Sequence, residues 1–340
     1  MFCYWSFKMI KILEKYKNLN KHFEDFKLIG SGGYGQVYSA TFKKDKRRYA
    51  IKILTTPDVT KKSVNLIRFK NECSVLAKIR SKNVVRIHGF YTSEDESYYS
   101  MELIEGIDLK TLIAKSKKIN VEEAIRIAKE ICQGLIDIHS SNVVHRDLKP
   151  SNILIEQNTN DVKLIDFGIS IADETLKVTA DNKTVGSIQY LAPEILKKKE
   201  KASFRSDIYA FGMILYEMLS GHPAFQGSDN HSILLMQINV EIPPLEGVGK
   251  IIPQAVENII IRCTAKDPSE RYNNCKDILN DLENCLRIEA MNDKKLILES
   301  KKEPKKNKKT LSLKWTIILI SFAVAIIVVV LIVLIINKLI

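Results

Sequence analysis

Four polar residues set close together could carry out one kind of chemistry. In the stretch VVHRDLKPSNILIEQNTNDVKLIDFG, residues 143–168, Asp147 and Asp166 lie 19 positions apart, with Lys149 and Asn152 between them. Each aspartate adjoins an apolar run suited to a buried strand. The set contains a base, a cation, an amide oxygen and a carboxylate able to bind a metal ion. Moving a phosphoryl group from a magnesium nucleotide to a hydroxyl needs all four.

Such residues work only if other elements hold a nucleotide against them. From Phe23 the sequence FKLIGSGGYGQVYSATFKKDKRRYAIKIL reads as strand, Gly-rich turn, strand, charged hairpin and strand. Gly30, Gly32, Gly33 and Gly35 lie in the turn, and glycine lets a backbone approach phosphates closely. A lone G-x-G-x-x-G also occurs in Rossmann folds, but there a helix follows the turn and here a strand does. Ala50-Ile51-Lys52 sits on the third strand, with Lys52 placed 15 residues after Val37. Taken alone, a strand lysine most often marks a solvated edge. Residues 62–80 carry an apolar stripe through Leu66, Phe69, Cys73, Leu76 and Ile79, which predicts a helix, and Glu72 lies beside that stripe. Residues 84–104 give two more strands joined by the acidic turn Ser93-Glu94-Asp95-Glu96. From Leu109 the period becomes helical, with a core stripe of Val121, Ile125, Ala128, Cys132, Leu135 and Ile138 that ends before His139.

Read in order, H-R-D-L-K-P-S-N and D-F-G in 145–168, G-x-G-x-x-G-x-V ending at Val37, Ala-Ile-Lys at 50–52 and Ala-Pro-Glu at 192–194 resemble the motif set of the eukaryotic-type (Hanks-type) serine/threonine protein kinases, of the bacterial membrane-anchored kind. The resemblance covers about residues 24–288. It implies an α+β, bilobal protein-kinase fold: a five-stranded antiparallel N-lobe with one main helix, and a mostly helical C-lobe. It implies ATP with Mg2+ (Mn2+ as the alternative) and protein substrates phosphorylated on Ser or Thr.

The roles that follow are those the resemblance implies. Asp147 orients the acceptor hydroxyl and takes its proton, and Lys149 neutralises charge on the γ-phosphate. Asn152 and Asp166 hold the metal. Ile29, Gly30, Gly32, Gly33, Gly35, Val37 and Ala50 enclose the nucleotide, and Lys52, paired with Glu72, contacts its phosphates. Met101 is the gatekeeper, the backbone from Glu102 to Ile104 meets the adenine edge, and Asp108, at the end of a hinge Glu105-Gly106-Ile107-Asp108, reaches the ribose. His145 and Phe167 pack as spacers with Leu76 and Ile87, so His145 is structural. Asp207 caps the catalytic-loop backbone, and Arg271 pairs with Glu194 at the end of the activation segment. Arg146 pairs with a phosphorylated residue of that segment, and autophosphorylation is expected at Thr179 or Thr184. Ser187 shapes the acceptor pocket. A catalytically weak pseudokinase serving as a scaffold is the alternative, as is a kinase of small molecules or lipids.

Composition sets the remaining bounds. With 340 residues the chain is long enough for two lobes with sizeable cores, and an apolar fraction of 45% predicts that it folds. The net charge is +12, and ten Lys against three acids from Ala290 onward contribute +7 of it. That cluster precedes 22 uncharged residues, Trp315 to Ile336. As a helix they span roughly 33 Å, the thickness of a bilayer's hydrocarbon. The lysines predict a cytoplasmic kinase side on a single-pass cell-membrane protein, with an anionic lipid surface as partner and no nucleic acid. A counteracting protein phosphatase is a further expected partner. Ser321 and Ala325 form a small-xxx-small pair that leaves a homodimer open.

The predicted organisation is therefore a lead-in at 1–22, a kinase domain at 23–289 (N-lobe 23–104, C-lobe 105–289), a Lys-rich linker at 290–314, a transmembrane helix at 315–336 and a short extracytoplasmic tail at 337–340. Phe7, Ile10, Leu13 and Tyr16 recur at roughly helical spacing in the lead-in, which is expected to pack on the first lobe. No secretory signal peptide is expected, because Lys8 and Lys11 break the N-terminal apolar run. Six scattered cysteines without a C-x-x-C pair predict small buried hydrophobes rather than a zinc or redox site.

Overall fold

The computed structural model describes residues 16–32, 35–54, 69–71, 73–93, 95–167, 188–198, 201–245, 252–298, 321 and 332. The chain divides into two compact units, Met1–Leu298 and Glu299–Ile340. All the architecture below belongs to the first.

A short helix, α1 (Lys17–His22), leads into a sheet of β1 (Phe23–Gly32), β2 (Gly35–Phe42), β3 (Arg48–Leu54), β4 (Ile87–Thr92) and β5 (Ser97–Glu102). Its order is β1-β2-β3-β5-β4 and every pairing is antiparallel. Side chains alternate between the faces of a strand, so register decides what each face carries. Val37 lies opposite Lys52, Lys52 opposite Tyr99, and Ala50 opposite Met101. This face points at the main core, where Ala50, Tyr99, Met101, Leu76 and Phe69 are buried together. The intervening residues Tyr38, Ile51, Ile53 and Tyr98 build a second cluster on the outer face, with Tyr16, Leu19 and Phe23. The end of the lead-in thus packs on the first lobe, as expected. Helical backbone is present at 69–71 and 73–76 within the helix expected over 62–80; Glu72 and residues 55–68 lie outside the described residues.

The second lobe is helical around a small sheet of β6 (Gly106–Asp108), β7 (Ile153–Glu156) and β8 (Val162–Leu164). Residues 106–108, expected as hinge, therefore form a strand paired to β7. The backbones approach so closely that a Cβ at Gly106 would sit 2.0 Å from the Ile155 oxygen. After α2 (Leu109–Ser116), α3 (Val121–Ser140) buries its predicted stripe, and the Asn120 side chain caps it by accepting the Glu123 N–H. Next come α4 (Pro193–Lys198), α5 (Phe204–Ser220), α6 (Asn230–Asn239), α7 (Gln254–Cys263) and α8 (Cys275–Asn284). α5 is apolar nearly all round and is buried nearly all round. Cys73, Cys132, Cys263, Cys275 and Cys285 are buried and form no disulfide, as the sequence predicts.

Two parts of the C-terminal reading meet the structure differently. Lys294 and Leu296, assigned to the linker, are tied to α7: the Asn258 amide donates to the Lys294 oxygen and its Oδ1 accepts the Leu296 N–H. Among the described residues no helix is long and apolar enough to cross a membrane. The apolar run 315–336 lies outside them except for Ser321 and Ile332.

Candidate active site

α3 ends at Ser140, and a loop then runs to a short 3-10 turn, Pro150–Asn152, before β7. The loop has little regular hydrogen bonding of its own, so its shape depends on α5. Asp207, in the first turn of α5 and almost fully buried, accepts the His145 N–H at 2.8 Å on one oxygen and the Arg146 N–H at 3.0 Å on the other. Both oxygens of Asp207 are thus committed to the loop backbone. His139 adds a contact that was not anticipated: its Nε2 lies 2.8 Å from Asp207 Oδ2. Burial opposes charge on this imidazole, yet Asp207 and the neighbouring Cys275 hold its pKa up, at about 9. Arg146 takes φ of 68°, a left-handed conformation that this anchoring holds in place.

Along this loop the reactive side chains converge. Lys149 Nζ lies 2.6 Å from Asp147 Oδ2. The Asn152 Nδ2 donates to the Asp147 backbone oxygen at 2.8 Å and to its Oδ2 at 3.0 Å. That orientation leaves Asn152 Oδ1, a hard oxygen, for a cation. The Asn152 backbone oxygen accepts the Ile165 N–H at 3.0 Å, which fastens the Asp166 turn to the loop. Asp166 has φ of 57°. Its Oδ1 lies 2.6 Å from Lys52 Nζ, which spans the two lobes from β3. The sequence reading assigned Glu72 as the partner of Lys52; Glu72 is outside the described residues, and the pairing seen here is with Asp166. The Tyr99 hydroxyl approaches the same oxygen at 3.5 Å, and burial together with the Asp166 charge pushes this phenol well above its ordinary pKa.

A carboxylate beside an amide oxygen suits magnesium, which keeps several waters and takes one or two protein carboxylates. The donor set here, Asp166 with Asn152 Oδ1, fits that ion. Among the described residues no cluster of three or more His, Cys, Asp or Glu could hold a metal by itself.

The nucleotide-facing side is formed by the sheet. Gly35 takes φ of 140° at the Gly-rich turn, a conformation open to glycine. Gly33 lies outside the described residues. Ile29 is about half exposed on β1, and Val37 is half-buried beneath the turn. Met101 is buried behind Ala50. The Glu102 N–H is taken by the Arg86 oxygen, and the Glu102 carboxylate by Lys163 and the Arg86 N–H. The Ile104 N–H donates to no group among the described residues. Asp108 caps α2, accepting the Thr111 N–H and hydroxyl on its two oxygens.

His145 is fully buried. Its Nε2 lies 3.1 Å from the Ile165 oxygen, its ring is 5.1 Å from that of Phe167, and Nδ1 has no partner among the described residues. Burial lowers its pKa, so it is a neutral spacer with the proton on Nε2. Arg271 is buried and bidentate to Glu194, at 2.7 and 2.9 Å. The turn 188–190 is clamped from below: the Tyr190 hydroxyl donates to Glu217 at 2.6 Å, and the Gln237 amide donates to the Gln189 oxygen. A cavity of about 20 Å³ between this turn and Arg146–Leu148 brings the two segments side by side. Thr179, Thr184 and Ser187 lie outside the described residues.

Sequence comparison agrees with the geometry. The profile of the family described as protein kinase domain matches residues 23–282, so the chain belongs to that family. Among its relatives is the serine/threonine-protein kinase PrkC of Bacillus subtilis (strain 168), 34% identical over 287 residues, which cover 84% of this chain and 44% of that protein. The serine/threonine-protein kinase PknE of Mycobacterium tuberculosis (strain H37Rv) is 34% identical over 252 residues, covering 74% of this chain and 44% of that protein. The chain spans less than half the length of these relatives. Among solved structures, the crystal structure of Rad53 1-466 in complex with AMP-PNP superposes with a TM-score of 0.65 at 26% identity, covering 81% of this chain and 68% of that one.

Proposed function

We propose that the chain transfers the γ-phosphoryl group of ATP to Ser and Thr hydroxyls of proteins. The observation that carries this reading is the convergence of Lys52 and Asp166 across the lobes with Asp147, Lys149 and Asn152 below them. Asn152 and Asp166 hold magnesium, or manganese in its place, whose chemistry is neutralisation of phosphate charge. Lys52 binds the phosphates, with Glu72 as its partner in the closed site. The Gly30–Val37 turn and Ile29 cover the nucleotide, Ala50 and Met101 form its floor, and the Glu102 oxygen, the Ile104 N–H and Asp108 hold its base and sugar. The acceptor oxygen bonds to phosphorus, the bond to the β-phosphate breaks, and the hydroxyl proton passes to Asp147. Lys149 balances the charge.

Autophosphorylation at Thr179 or Thr184, read by Arg146, belongs to the same proposal, as does a phosphatase that reverses it. Residues 315–336 anchor the chain in the cell membrane, with the catalytic unit on the cytoplasmic side and the lysines of 290–314 against anionic lipid. A cluster of nine Lys directly before a 22-residue uncharged run supports this placement.

The full chain in detergent, supplied with radiolabelled ATP and a Ser/Thr peptide mixture, should label peptides on Ser and Thr. Asp147→Asn should reduce the rate by about 10²–10⁴-fold. A parent that labels no peptide would refute catalysis and leave a scaffolding pseudokinase, and a variant that labels as well as an active parent would show that Asp147 is not the base.

A further inference from the structure

The outer face of the five-stranded sheet, on the side away from the candidate active site, carries a cavity of about 350 Å³. Its walls include Asn18 and His22 of α1, Phe42, Tyr49, His88 and Tyr98. They are largely aromatic: the Tyr49 and His88 rings meet edge-on at 4.9 Å, and Phe42 and Tyr49 at 6.0 Å. The volume lies in the range of about 300–1,000 Å³ typical of ligand pockets. Aromatic walls of this kind bury apolar side chains well.

One side of this surface is already covered by the chain's own lead-in. Tyr16 and Leu19 are buried in the outer cluster. The Asn18 and Leu19 N–H groups, at the start of α1, donate to the buried Glu96 carboxylate at 2.9–3.3 Å. The Tyr98 hydroxyl donates to Asn18 Oδ1 at 2.7 Å. The chain arrives at this point from residues 1–15, MFCYWSFKMIKILEK, of which ten are apolar or aromatic. So many apolar groups need cover. Tyr4, Phe7, Ile10 and Leu13 recur every third residue, Lys8 and Lys11 fall between them, and Lys15 follows. Lys15 is three residues from Asn18, so its Cα is within about 11 Å of a cavity wall. Fully extended, the segment reaches about 50 Å, enough to cross the cavity whatever its path. A short tether of this kind presents its ligand at an effective concentration in the millimolar range.

We propose that residues 1–15 seat their apolar side chains in this cavity, extending within one chain the covering that α1 begins. The occupant is thus a segment of the same molecule, and neither a second copy nor a lipid leaflet takes its place.

The test uses the full chain in detergent–lipid micelles, with the photo-crosslinker p-benzoylphenylalanine in place of His88, an exposed residue. Placing it at His22 gives a second reporter should the first disturb folding. Unlabelled and 15N-labelled copies are mixed in equal amounts before irradiation. The expected result is a crosslink from either reporter to peptides within residues 1–15, with both halves carrying the same isotope. Mixed-isotope crosslinks, lipid adducts, or an absence of crosslinks to residues 1–15 would each overturn the assignment. Gly89 also lines the cavity, and a Cβ there meets Ser100 Oγ at 3.6 Å, an ordinary contact. Gly89→Leu should therefore start from an ordinary contact, take up part of the cavity and weaken the crosslink. A crosslink undiminished in that variant places the segment elsewhere and overturns the proposal.

Discussion

Asp207 contacts no reacting atom in the proposed reaction, yet both of its oxygens are committed to the loop that carries Asp147. Its charge is balanced by His139, whose ring stacks on Phe204 at a centroid distance of 4.4 Å and whose other nitrogen faces Cys275. The folded pKa of His139, about 9, is above the ordinary imidazole value of 6.5. A raised pKa means that the folded state binds the proton more tightly. The stabilisation is complete below about pH 6.5 and is lost as pH rises through about 9. A shift of that size corresponds to roughly 3 kcal/mol. Lys266 titrates the opposite way in the same window, its pKa lowered to about 8 by burial, so the readout is the difference between parent and His139→Gln. In urea unfolding, that difference should shrink steadily between pH 7 and pH 10. A constant difference would mean that the imidazole is neutral throughout. At this scale Lys52, Asp147, Asn152, Asp166 and Arg271 were legible because each falls at a fixed step from a neighbouring motif. His139 and Tyr99 were not. Their partners lie 68 and 67 residues away, and a histidine at a helix end or a tyrosine in a strand has no local mark of what it will meet.

Elements show the same division. The strands, the Gly-rich turn and the stripe of α3 follow from periodicity, which is a local property. What fastens one element to another does not. Glu96 reads as one charge of an acidic surface turn, yet it is buried and caps α1 from 78 residues away, where a helix start favours a carboxylate. The residues 106–108 read as hinge became β6 because Ile107 pairs with Ile155, a contact that no short-range signal announces. Glu194 of α4 was legible as a motif residue, and its pairing with Arg271 carries an energetic expectation. Arg271 is fully buried and also donates to the Ala265 and Arg205 oxygens. Removing only the acid strands a buried guanidinium, so Glu194→Ala should cost about 3–5 kcal/mol and lower Tm by roughly 10 °C in calorimetry. The joint replacement Glu194→Leu with Arg271→Met should cost less than Glu194→Ala alone. A double variant worse than the single would show that the pair contributes net stability.

For the whole molecule, the expectation concerns partition. Residues 315–336 combine membrane-spanning length with a preceding lysine cluster. The full chain expressed in a bacterium should sediment with membranes and resist alkaline carbonate extraction, and a variant lacking 315–336 should be recovered in the supernatant. A full chain found in the supernatant would remove the anchor from the proposal. The two-lobed layout was legible because the order of motifs along the chain already implies it. The route of the chain past α8 was less so. Lys294 and Leu296 belong to a lysine-rich stretch without a sustained apolar period, and the side chain of Asn258 holds them to α7.

The pair between Lys52 and Asp166 gives the two lobes a shared latch made from groups that, in the proposed reaction, serve different ligands. A cation arriving at Asp166 frees the ammonium for phosphate, and phosphate arriving at Lys52 frees the carboxylate for a cation. Whichever comes first must overcome the latch, and the second then meets an unopposed partner. The two affinities are accordingly reciprocal, each ligand tightening the other by the same factor. Titration calorimetry of nucleotide with and without divalent ion would measure that factor, and its decline in Lys52→Ala would trace it to this one contact.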